Sequence, residues 1–106
     1  MSKELLVDEA KRRAKIFKNL DEYLKKVVEA IEEIDGNAEV YLFGSVAEKK
    51  HLLSSDIDIL VVTSQPPGEV QAKLWREGFG DPFEIHVATR DMLQIYRKRA
   101  KLVKLK

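Results

Sequence analysis

The sequence predicts an α+β domain: a small mixed β-sheet flanked by helices. Two kinds of observation carry this. A long N-terminal stretch repeats apolar residues at helical spacing, while three short runs rich in Ile, Val and Phe sit between turn signals, separated and followed by helical stretches. At 106 residues the chain is long enough for one hydrophobic core and too short for two, so residues 1–106 are expected to form a single domain.

From residue 3 to residue 34 the apolar positions Leu6, Ala10, Ala14, Phe17, Leu20, Leu24, Val27, Ile31 and Ile34 recur at steps of three or four. Asn19 and Asp21 are cap-type residues, which predicts a break inside this helical region rather than one rod. "DGN" at 35–37 carries turn chemistry, and "EVYLF" at 39–43 reads as a strand. "GS" then opens a short connection. "DIDILVVT" at 56–63 is the second strand, and "SQPPGEV" launches a helix through Trp75, because Pro suits a first helical position. "FEIHVAT" at 83–89 alternates as a third strand, which closes the strand-bearing segment 39–89. Thr89 is the expected N-cap of a basic helix over 90–106.

Composition excludes several classes. A formal net charge of +1 gives no global attraction for nucleic acid or an anionic membrane. The absence of Cys excludes a disulfide scaffold and a thiolate metal site, and fits a reducing cytoplasm. No apolar run is long enough to span a bilayer.

The chemistry concentrates in "FGSVAEKKHLLSSDID" at 43–58. Residues two apart on a strand share a face, so Asp56 and Asp58 project together while Ile57, Ile59 and Val61 point into the core. Two carboxylates about 4 Å apart repel by about 4 kcal/mol at an effective dielectric near 20. Protonation of one carboxylate, a nearby Lys or Arg, or a divalent cation relieves that repulsion, and a carboxylate pair holding two hard ions is the usual frame for in-line nucleotidyl displacement. Mg²⁺ suits it, since it takes oxygen ligands and keeps substrate phosphates in its shell. Gly44 lets a phosphate approach the backbone at the start of a short helix, and Ser45 adds a hydroxyl donor.

"GS" followed after ten residues by "DID", and the whole of "YLFGSVAEKKHLLSSDIDILVV", resembles the minimal nucleotidyltransferases of the DNA polymerase beta-type superfamily. The resemblance implies that superfamily's fold, transfer of a nucleoside monophosphate from ATP or another NTP to a hydroxyl, and two Mg²⁺ ions. It places Gly44 and Ser45 on the triphosphate and Asp56 and Asp58 on the metals. A third carboxylate is expected from a later strand, and Glu84 in "PFEIHV" matches, on the face that His86 shares. Many relatives carry Arg-Gly where this chain has Glu48 and Lys49, so an acidic residue stands near the triphosphate, with Lys49 and Lys50 beside it as compensating cations. Larger relatives add a helical domain for the acceptor. The resemblance implies instead a separate helical partner of the HEPN type, with the minimal nucleotidyltransferase as its antitoxin.

Milder readings accompany these. "KRRAK" at 11–15 reads as a solvated face, offset by Asp8 and Glu9, and Trp75 and Phe79 as core or partner-facing aromatics. The N-terminal helices and the basic C-terminus offer surfaces for a partner or for a homo-oligomer. Glu48 keeps open a different function, a binding antitoxin with an idle site. A small nucleic-acid-binding domain using the basic tail ranks last because the charge is balanced.

Overall fold

In chain order the elements are α1 (Lys3–Lys18), α2 (Leu20–Ile34), β1 (Glu39–Phe43), α3 (Gly44–Ala47), β2 (Ile57–Val62), α4 (Pro67–Arg76), β3 (Phe83–Ala88), α5 (Arg90–Arg99) and β4 (Val103–Lys104). The computed structural model describes residues 3–52 and 54–106, with side chains from residue 6 onward; Leu53 of the quoted motif lies outside the described residues.

The four strands form one mixed sheet in the order β3-β2-β1-β4. β1 is antiparallel to both β2 and β4, while β2 and β3 run parallel with α4 as their crossover. The alternation read from the sequence divides the sheet into two faces. Val40, Leu42, Ile57, Ile59, Val61 and Phe83 join Val27 and Ile31 of α2 and Val70 and Leu74 of α4 in the main core. Tyr41, Leu60, Val62 and Ala88 meet Leu93 of α5 on the opposite face, with Phe43 and Tyr96 against them. Ile57, Ile59 and Leu60 are fully buried, as expected of a central strand covered on both sides.

The helical region of residues 3–34 is broken at Asn19, whose side-chain amide donates to the Lys15 carbonyl at 2.9 Å rather than capping α2. Among the described side chains of α1, Ile16 is buried, whereas Leu6, Val7, Ala10 and Ala14 are exposed, so the apolar stripe they form faces outward. Phe79 enters the core and Trp75 stays 74% exposed.

The expected helix over 90–106 is too long. α5 ends at Arg99, and Ala100 turns extended at φ −146°, ψ 153°. The tail then pairs with β1: Leu105 N–H donates to the Val40 carbonyl at 2.8 Å, and Val40 N–H donates to the Lys106 carbonyl at 2.9 Å. An open edge of β1 offers unpaired backbone groups, and satisfying them outweighs continuation of a solvated helical turn.

Candidate active site

The site grows out of register. Parallel pairing sets Asp58 opposite Glu84 and Leu60 opposite His86. Paired residues share a face, and positions two apart on a strand do too, so Asp58, Glu84 and His86 emerge together at the N-terminal ends of two adjacent strands. Their ligand atoms all lie within 4.8 Å of one another. His86 Nε2 stands 3.4 Å from Asp58 Oδ1 and 3.6 Å from Glu84 Oε1.

Asp56 precedes β2, is exposed, and falls outside this cluster. Of the three expected carboxylates the structure thus gathers two, Asp58 and Glu84, and adds an imidazole. In the sequence His86 reads first as a polar-face strand residue beside Glu84, and as a ligand or base second. Phe43, opposite Asp58 on β1, meets the His86 ring edge-on at 4.9 Å and 65°, and the ring of Tyr96 on α5 contacts Phe43 at 5.8 Å. These rings hold the imidazole in place.

Gly44 follows Phe43 at φ +74°, a left-handed conformation that glycine adopts without steric cost. A Cβ there would run into Asp58 Oδ2 and lie 3.2 Å from its Cγ. The glycine expected at a phosphate cradle thus leaves room for the Asp58 carboxylate. α3 begins at Gly44, and first-turn N–H groups have no intrahelical acceptor. Ser45 is half-buried on that turn.

α3 closes with Lys50 N–H donating to the Ser45 carbonyl at 2.9 Å and Lys49 N–H to the Val46 carbonyl at 3.1 Å. This is a Schellman motif with Lys49, at φ +58°, in the position that glycine usually fills. The glycine of the relatives' Arg-Gly has a conformational purpose here, and this chain meets it with an exposed lysine. Glu48 is exposed beside it.

Two contacts brace the loops that enter β2 and β3. His51 stacks on Phe17 of α1 at 5.1 Å and 10°. Arg13 donates to the Ser55 carbonyl at 3.1 Å and to both carboxylate oxygens of Asp81 at 3.0 Å. One guanidinium thus ties the segment before Asp58, through Nη1, to the segment before Glu84, through Nη2, since its rigid plane presents several donors at once. The solvated reading of "KRRAK" fails at Arg13, whose side chain is only 18% exposed. Its acidic partner is 68 residues away, beyond any local charge pattern.

The donor set fits a divalent cation: two carboxylates and one imidazole converge from rigid strands, and the missing Cβ of Gly44 keeps the Asp58 carboxylate in place. The family model for the nucleotidyltransferase domain matches residues 24–104, which takes in the site and every strand. The chain belongs to this family. A crystal structure whose description gives its protein provisionally as a nucleotidyltransferase superposes with a TM-score of 0.66 at 27% identity, covering 79% of this chain and 98% of the other. The fold is that of a minimal nucleotidyltransferase of the polymerase beta-like superfamily. No curated protein is significantly similar to the chain. Among the described residues no helix is long and apolar enough to cross a membrane.

Proposed function

We propose that this protein catalyses metal-dependent transfer of AMP from ATP to an acceptor hydroxyl. The observation that supports it is the pairing of Asp58 with Glu84 across parallel strands, with Gly44 against the Asp58 carboxylate. Divalent ions, Mg²⁺ in most such chemistry, neutralise the triphosphate and polarise its α-phosphate when bound. Asp58 and Glu84 would hold the ions, with Asp56, two residues before Asp58, as the third expected ligand. The first turn of α3, with Ser45, receives the phosphates, and Lys49 adds positive charge. The acceptor oxygen attacks the α-phosphorus, the bond to the bridging oxygen breaks, and pyrophosphate leaves. Glu84 takes the proton of the attacking hydroxyl.

Glu84 sits in the open, its side chain 54% exposed, while that of Asp58 is 22% exposed. An open site suits an acceptor carried on another macromolecule, and we assign that role to a tyrosine of a HEPN-type helical partner, the chain acting as its antitoxin. The test incubates the protein with α-labelled ATP, Mg²⁺ and the candidate partner. Label should pass to the partner and vanish with Asp58→Ala. Absence of label with every acceptor tried refutes transfer.

Glu48 favours a second reading, an antitoxin that works by binding alone. Neutralisation that survives the combined Asp58→Ala and Glu84→Ala substitutions would select it.

A further inference from the structure

We propose that His86 is itself a metal ligand, so that this site prefers a first-row transition dication to Mg²⁺. The proposal rests on the reading of Asp58 and Glu84 as the metal-holding carboxylates. His86 Nε2 stands between them at 3.4 and 3.6 Å, longer than the roughly 2.7–2.9 Å of a charge-assisted hydrogen bond. The imidazole meets Asp58 Oδ1 in a long hydrogen bond and approaches Glu84 Oε1 at a greater distance. Neighbouring donors around an ion bonded at about 2.1 Å are about 3.0–3.4 Å apart, depending on tetrahedral or octahedral geometry. The His86–Asp58 separation lies at the top of that span and the His86–Glu84 separation just above it, and all three donor atoms lie within 4.8 Å of one another, so a contraction brings them onto one ion.

The ring is also held in position. Phe43 meets it edge-on, and Tyr96 backs Phe43. The imidazole is 30% exposed, so an ion from solvent has access. Neutral imidazole is a good ligand for transition metals, whereas Mg²⁺ demands oxygen and gives up water reluctantly. Replacing an oxygen donor by Nε2 therefore shifts selectivity.

The experiment uses the full chain with Mn²⁺ and inorganic tripolyphosphate, a phosphate probe that contains no nitrogen. Electron-spin-echo modulation reads whether a nitrogen is bound to Mn²⁺. The expected result is ¹⁴N modulation that changes to the ¹⁵N pattern when histidine is ¹⁵N-labelled, disappears in His86→Gln and persists in His51→Gln. The wild-type labelled sample decides whether histidine binds, even where His86→Gln folds poorly. In a direct titration His86→Gln should weaken Mn²⁺ by at least the tenfold that loss of an outer-shell partner causes, with Mg²⁺ changed less than about twofold. Mn²⁺ bound in an Asp58-dependent manner without histidine modulation, or with modulation that follows His51, overturns the proposal and leaves nucleotidyl transfer standing. Mn²⁺ binding unchanged by Asp58→Asn overturns both.

Discussion

Gly44→Ala tests the link between backbone and site. The left-handed φ of +74° costs an alanine about 1–2 kcal/mol. The new Cβ also displaces the Asp58 carboxylate, and forcing that side chain off its rotamer adds about 0.5–1.5 kcal/mol. Lower entropy of the unfolded chain returns about 0.5–1 kcal/mol. The net loss is about 1–2.5 kcal/mol. Gly78 provides the control: its φ is +94°, yet a Cβ there meets nothing within 4 Å, so Gly78→Ala should show the backbone cost alone. Asp58→Ala removes the atoms in the way and leaves Asp58 Cβ at 3.5 Å, an ordinary contact. A double-mutant cycle of Gly44→Ala with Asp58→Ala, followed by urea unfolding and circular dichroism, should give a coupling of about 0.5–1.5 kcal/mol. Coupling indistinguishable from zero would refute the steric account.

Lys49→Gly should stabilise the protein by up to about 1 kcal/mol in the same assay, since it removes left-handed strain of about 1–2 kcal/mol against roughly half that in glycine entropy. Acid should destabilise the fold. The Thr63 hydroxyl bonded to Asp35, then the Asn37 amide, hold the Asp35 carboxyl below its usual range, and the Tyr41 hydroxyl, with Lys104 and Arg90, does so for Glu39. Depressed folded-state values mean that this stability is complete above the unfolded range near 4 and is lost as pH falls through the lower folded values. Thr63→Val and Tyr41→Phe should each flatten the loss of stability measured below about pH 5. Deleting residues 101–106 removes β4 from β1 and uncovers the Val40 backbone, so sedimentation velocity should show concentration-dependent association.

What the sequence disclosed follows from periodicity. Alternation in "FEIHVA" put Glu84 with His86 and turned Ile85 and Val87 the other way, and the strands obey it. The spacing of Gly44 from Asp58 announced a shared site because the antiparallel turn of β1 into β2 brings Phe43 opposite Asp58. Three features escaped. "KLVKL" keeps a helical spacing with no Gly or Pro to stop it, and only tertiary pairing with Val40 makes it a strand. Arg13 looks like any surface arginine until the chain folds Asp81 against it. The reach of α1 past its packing partners leaves Leu6 and Val7 uncovered, which periodicity alone does not signal.

The in-step alignment of β2 with β3 has a consequence for how this domain tolerates change in length. A residue gained or lost inside β3 would rotate Glu84 and His86 to the far side of the sheet and bring Ile85 out in their stead, dismantling the cluster at a stroke. An insertion in the linker before α4, around Ser64, shifts numbering but no alignment. Grafted loops or reporter tags therefore belong in that crossover, where the sheet is indifferent to how long the chain takes to return.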